Sequence, residues 1–322
     1  MSRRRLLAIV IGGAVLLAGA FVGVVLATSG SSSEELVVYS ARSHYGEEEP
    51  FVRFAKQTGT DITLRGGSAS ELYERLRSEG DNTPADVLIT VDAANLWRAQ
   101  DAGIIDAWEP LTERARTIMR STERVGEGEV TTYEGLGDPR WKGRLCLRSG
   151  TSEYNVSFVA DRLAKDGRDA TERMLRRWMA NDPEILGSDV DVLEAIAEGD
   201  CDVGLTNSYY LGRELEEDPD FPVAPVWADQ GGRGTHVNLS GLGVVRGADH
   251  VEEARELIRF LRAPAQQEVF AQNNHEFPAV EGAQPSPEIE QFGDFGQDPI
   301  DVDGAGPLLG DALELMDQVG WD

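Results

Sequence analysis

The sequence predicts an α/β protein built from two units, and three observations carry that expectation. Strand and helix signals alternate from residue 36 to residue 101, the alternation breaks, and it restarts at residue 144. The chain has 322 residues, room for about two domains of ordinary size. Hydrophobic residues make up 41% and charged ones 27%, which excludes both a multi-span membrane protein and a wholly disordered chain.

The elements follow in order. Residues 36–41 read as a short apolar strand, and 47–58 as a helix with acids in its first turn, Pro50 near its start and Gly59 after its end. Residues 61–65 are strand-like, 70–78 form a helix with Ser68 or Ser70 as cap, 86–90 a continuous apolar strand, and 92–101 a helix ended by Gly103. Strand–helix units of this length imply a parallel or mixed sheet covered on both faces. The second unit reads as strand 144–148, helices 153–165, 169–180 and 189–198, strand 201–205, helix 208–217 and strand 223–227. A further strand is expected at 236–245, with helices at 252–261, 265–272 and 308–319 packing on one unit or the other. Residues 282–306, rich in Pro, Gly and acids, read as an irregular surface connection.

Fifty-seven acids against 30 bases leave a net charge of −27. Such a molecule repels nucleic acid and anionic membranes and draws cations toward it, so no nucleic-acid partner is expected. The N-terminus reads as an export signal: Arg3, Arg4 and Arg5 precede an uncharged apolar run over 6–27 that ends Val25-Leu26-Ala27. Cleavage after Ala27 makes residues 1–27 a signal peptide and 28–35 a linker. The run is also long enough for an uncleaved membrane anchor, and Ser2-Arg3-Arg4-Arg5-Leu6-Leu7 fits a twin-arginine signal. Either way the protein works outside the cytoplasm.

Open α/β sheets bind ligands beyond the carboxyl ends of their strands. The segments there are Ser40-Ala41-Arg42-Ser43-His44-Tyr45-Gly46, Ser149-Gly150-Thr151-Ser152-Glu153-Tyr154-Asn155 and Thr206-Asn207-Ser208-Tyr209-Tyr210. Four of the seven tyrosines fall in these three loops. A phenol has a pKa of about 10, yet a trivalent hard cation displaces its proton and binds the oxygen. Oxygen donors with one imidazole and no thiolate favour Fe³⁺ over Zn²⁺ or Cu⁺. A tyrosine at a helix start also commonly packs its ring and wets its hydroxyl. That reading suits Tyr209-Tyr210 less well, because helix neighbours point about 100° apart and are not expected to enter one core together.

These residues carry a family resemblance. Val38-Tyr39-Ser40-Ala41-Arg42-Ser43-His44-Tyr45, Pro84-Ala85-Asp86-Val87-Leu88-Ile89-Thr90, Asp138-Pro139-Arg140-Trp141-Lys142-Gly143, Asn207-Ser208-Tyr209-Tyr210-Leu211-Gly212-Arg213 and Gly234-Thr235-His236-Val237-Asn238-Leu239-Ser240-Gly241 resemble the ferric-iron-binding substrate-binding proteins of ABC transporters. The likeness covers essentially the whole chain after the leader. It implies a two-lobed type II periplasmic-binding-protein fold, with residues 36–117 and 238–285 in the first lobe, 118–237 in the second, and 286–322 packing on the lobes. It implies Fe³⁺ as transported ligand, with or without a synergistic anion, a monomer, and an ABC permease as partner. Its ligand set falls on His44, Tyr45, Tyr154, Tyr209 and Tyr210, with Asp92 close to the place of an acidic ligand in another branch. Relatives carry a longer stretch between Leu111 and Arg114, and residues 114–124 offer little apolar alternation from which to build the first crossover strand. An anionic ligand would suit so acidic a molecule only if Arg42, Arg148 or Arg213 lines the cleft.

Enzyme signatures are missing: the sequence contains no Gly-x-Ser-x-Gly elbow, no phosphate-binding Gly-Lys-Ser/Thr loop and no His-Glu-x-x-His. The alternatives to ferric capture are therefore a binding protein of the same fold for another small ligand (organic anion, sulfate, polyamine or sugar) or an extracellular hydrolase or lyase. Cys146 and Cys201 each lie at a strand of the second unit just upstream of a tyrosine loop, and an exported protein oxidises such a pair.

Overall fold

A computed structural model describes residues 24–26, 35–42 and 49–322. His44, Tyr45, the start of the 47–58 helix and most of the leader lie outside the described residues. The elements are β1 (Val24–Leu26), β2 (Glu35–Ser40), α1 (Glu49–Thr58), β3 (Asp61–Gly66), α2 (Ala69–Glu79), β4 (Val87–Thr90), α3 (Ala93–Asp101), β5 (Glu109–Ser121), β6 (Leu145–Arg148), α4 (Glu153–Asp166), α5 (Arg168–Met179) and β7 (Glu184–Leu186). There follow α6 (Asp189–Glu198), β8 (Val203–Asn207), α7 (Ser208–Glu217), β9 (Val223–Val226), β10 (Thr235–Val244), α8 (Val251–Leu261), α9 (Pro264–Asn274), β11 (Phe277–Pro278), α10 (Pro287–Glu290), β12 (Gln297–Pro299), α11 (Val302–Ala305) and α12 (Leu309–Val319).

The strands run in the order β1-β3-β2-β4-β10-β5-β8-β6-β7. β2 is parallel to β3 and β4, whereas β10 is antiparallel to both β4 and β5. β6 is parallel to β7 and β8. β5 belongs to both halves: its residues up to Ala115 pair with β10, and those from Arg116 onward pair with β8 and β9. β1 lies antiparallel to β3, so cleavage after Ala27 would remove it and leave β3 as the edge.

The apolar strands are buried on both faces, as their continuous hydrophobic runs require. Leu36, Val38 and Ile89 meet Phe51, Phe54 and Leu257 on one face, while Val37, Tyr39 and Leu88 meet Leu72, Leu76 and Leu96 on the other. In the second half Leu145, Leu147 and Leu205 pack on Phe158, Trp178 and Trp321, while Cys146 and Met119 face Val192, Ile196 and Leu211. Ser68 caps α2: its hydroxyl accepts from Glu71 N at 3.2 Å, and Ser68 N donates to the Glu71 carboxylate at 2.8 Å.

Three expectations change. The segment too polar to promise a crossover strand is the 13-residue β5, nine of whose residues are buried. Arg114 and Arg116 are buried against partners, so an apolar test fails on it. β7 has three residues between Pro183 and Gly187, too short for a periodic signal. The connection 282–306 is irregular but contains α10, β12 and α11, and β12 pairs in parallel with β10.

Candidate functional site

Tyr154 is the second residue of α4, and Tyr209 and Tyr210 stand in the first turn of α7. Both helices start within a few residues of a strand end, β6 for α4 and β8 for α7. Tyr209 Oη donates to Tyr154 Oη at 3.3 Å. The rings of Tyr209 and Tyr210 lie 4.2 Å apart between centroids, and both belong to one buried cluster. The expectation that helix neighbours cannot share a core is thus corrected: the two rings lean together, their planes 34° apart, within one cluster.

Guanidinium groups surround the phenols. Arg213 sits 5.4 Å and 5.8 Å from the ring centroids of Tyr209 and Tyr210, and Arg148 and Arg114 lie 5.6 Å and 6.0 Å from that of Tyr154. A cavity of about 330 Å³ opens among them. Ala41, Gly67 and Ser68 line it from the side of β2 and α2; Arg148, Glu153, Tyr154 and Tyr210 line it from the side of α4 and α7. Arg148 is thus the cleft arginine, whereas Arg42 is buried in an ion pair with Glu276 at 2.8 Å.

Burial raises the Tyr210 pKa above the ordinary phenol value, and the Asp189 carboxylate adds to the rise against the hydrogen bond from Tyr209 and the charges of Arg148 and Arg213. Burial likewise pushes Glu153 up to about 7, helped by Asp92 and opposed by Arg114 and Arg148. Tyr210 is therefore a neutral phenol at pH 7, and a cation must displace its proton to use the oxygen. Asp92 is committed elsewhere: it caps α3 through Asn95 N at 3.0 Å and accepts from Asn238 Nδ2 at 2.8 Å.

The loop between β6 and α4 is held by the far end of the chain. Trp321 Nε1 donates to Arg148 O at 2.9 Å, and Gly150 N donates to Asp322 O at 3.0 Å. Only glycine fits at 150, since a Cβ there would stand 2.1 Å from the Trp321 carbonyl oxygen. The disulfide joins Cys146 and Cys201 as expected, with Cα atoms 5.8 Å apart. Among the described residues, Cys146, Glu184 and Cys201 form the one set of three His, Cys or carboxylate donors close enough to share an ion, and the disulfide consumes both thiolates.

Arg148 was recognisable from sequence as a conditional anion partner. Gly67 and Ser68 carried no signal as cleft residues, because their placement depends on how the two halves face each other. The structure brings Tyr154, Tyr209 and Tyr210 together, and His44 and Tyr45 lie outside the described residues.

Two α/β halves sharing a crossover strand, with a polar cleft at the carboxyl ends of their strands, define a two-lobed binding protein. Residues 49–273 match the model of the bacterial extracellular solute-binding protein family, and the chain belongs to that family. It is 38% identical to iron uptake protein A1 of Synechocystis sp. over 325 residues, covering 92% of this chain and 90% of that protein. Among solved structures it resembles Trichodesmium IdiA (FutA) in complex with iron and citrate, with a TM-score of 0.83 at 36% identity, covering 89% of this chain and all of that one. The ferric binding protein from Campylobacter jejuni superposes with a TM-score of 0.84 at 27% identity over 89% of this chain.

Proposed function

We propose that this protein captures ferric iron outside the cytoplasm through tyrosine phenolates and delivers it to an ABC permease. The observation that carries the reading is the meeting of Tyr154 and Tyr210 at one cleft with Tyr209 buried against both, its hydroxyl 3.3 Å from that of Tyr154 and its ring 4.2 Å from that of Tyr210. Three phenols so placed offer hard oxygen donors suited to Fe³⁺. The names of the relatives support the same cargo. His44 and Tyr45 complete the proposed ligand set from the loop after β2, whose root at Ala41 lines the cavity. Arg148 gives the cleft a cation that would pair with an anion bound beside the metal. The N-terminal apolar run serves export or anchoring.

The experiment is the visible spectrum of the purified protein during titration with ferric citrate. A phenolate-to-iron charge-transfer band that saturates at one iron per chain is expected. Its absence, together with tight binding of a metal-free organic anion, would instead support a solute receptor for another small ligand, a reading that Arg148 in the cleft also favours.

A further inference from the structure

We propose that Arg116 is the positioning residue of the cleft: from the crossover strand its guanidinium fixes the starts of both tyrosine-bearing helices, so the spacing of the phenols follows the hinge. The inference rests on the ferric reading above for its affinity readout, but the geometry stands apart from it.

Arg116 is 1% exposed. Its Nε and Nη2 donate to Asn155 Oδ1 at 2.9 Å and 2.6 Å, and Asn155 is the neighbour of Tyr154. Its Nη1 donates to Asn207 Oδ1 at 3.1 Å, and Asn207 occupies the cap position of the helix carrying Tyr209 and Tyr210. The same Nη1 reaches Asp189 Oδ1 at 3.2 Å, and Asp189 Oδ2 accepts from cavity-lining Arg148 at 3.2 Å. One side chain therefore touches the first turns of α4 and α6 and the cap of α7. Its backbone is fixed as well: Tyr133 Oη donates to Arg116 O at 2.7 Å and accepts from His236 N at 3.0 Å, tying β5 to β10 at this residue.

A buried ion pair kept only for stability is commonly replaceable by apolar packing at little cost. The pattern here is different, because the partners lie on three separate elements: α4 and α7 carry cleft-lining residues in their first turns, and α6 holds cleft-lining Arg148 through Asp189. Reaching all of them takes the planar fork of arginine, and a lysine ammonium is a single point that cannot span them. Groups that orient a metal's ligands without touching the metal typically change its affinity about 10- to 100-fold when removed.

The test compares the parent with Arg116→Lys and Asn207→Ala. Iron affinity by competition with citrate, the position of the phenolate band, thermal unfolding, and the tyrosine side-chain NMR shifts of the metal-free protein are measured on each. The expected result is a loss of iron affinity of about 10- to 100-fold in both variants. A displaced band should accompany it, with shifted resonances for Tyr154, Tyr209 and Tyr210. Arg116→Lys with parental affinity, band and tyrosine shifts would overturn the proposal, as would losses that merely track thermal stability with the band and shifts unmoved. If Arg116→Lys does not fold, Asn207→Ala decides alone, because the hydrogen bond its side chain makes is the one it accepts from Arg116. A parent without a phenolate band would refute ferric capture, and the metal-free tyrosine shifts would still judge Arg116.

Discussion

His275 packs against Gly212 so closely that a Cβ added to the glycine would stand 2.7 Å from His275 Cβ. The contact sets the end of α9 on α7, two residues after Tyr210, and His275 adds Nε2 to Glu216 at 3.1 Å and Nδ1 to Ser286 at 2.9 Å. Gly212→Ala should therefore displace α7, costing about 1–3 kcal/mol of stability and weakening iron binding together. Denaturant unfolding and iron titration of the same preparation check this, and unchanged values in both would refute it.

Tyr209→Phe and Tyr210→Phe should each reduce iron affinity far more than stability. Phenylalanine keeps the ring packing and deletes the oxygen, so the hydrogen-bond loss on folding is about 1 kcal/mol. A ligand oxygen also carries the colour. Both variants should lose intensity in the visible band while melting close to the parent, and a parental band in both would remove this pair from the ligand set.

Glu276 makes an acid-dependent contribution to folding. Burial alone would push its carboxyl up, but Arg42 and Arg114 outweigh that and hold its pKa at about 2, below the ordinary 4.5. A depressed carboxylate stabilises the fold fully above its unfolded pKa and loses that contribution as pH falls from about 4.5 toward 2. Glu276→Gln strands two buried guanidinium groups and should cost about 3–5 kcal/mol at pH 7. Unfolding free energies at pH 7 and in the acid window check both statements: the variant's deficit should narrow in acid, and a constant deficit would contradict them.

The bridge between Cys146 and Cys201 closes a loop of sequence separation 55. Reduction and alkylation should lower stability by about 4 kcal/mol. An unfolded, unreduced sample should show no titratable thiol, and finding two would rule the bridge out.

Iron release should follow acidity. Every tyrosine phenol binds iron only after losing its proton, so affinity should fall steeply between about pH 8 and pH 4. Small-angle scattering with parallel iron titration tests the accompanying closure of the lobes. The radius of gyration should shrink on adding Fe³⁺ at the upper pH and stay constant at the lower. An iron affinity that ignores pH would contradict phenolate ligation.

The alternation of strands and helices was legible because these strands are buried on both faces by apolar side chains, which leaves an unambiguous pattern in residues such as Val87, Leu88 and Ile89. The crossover strand was not legible for the opposite reason. Arg114 answers Glu276 at 3.1 Å, and Arg116 answers Asp189, Asn155 and Asn207, partners 39 or more positions away that no local window contains. The tyrosines of the candidate site were visible as an excess in three loops. Their supports at Asn155, Asn207 and Asp189 looked like ordinary polar residues at helix starts, because what distinguishes them is a shared arginine on a distant strand.

The indole of Trp321 rests on the carbonyl of Arg148, 173 residues earlier in the chain. A ribosome adding about 5–20 residues each second needs on the order of ten seconds or more to travel between them. The loop before Tyr154 is therefore translated long before the residue that locks it. The cleft acquires its final form only once Trp321 has been made, so a nascent chain should be a poor trap for metal until α12 and Trp321 have docked.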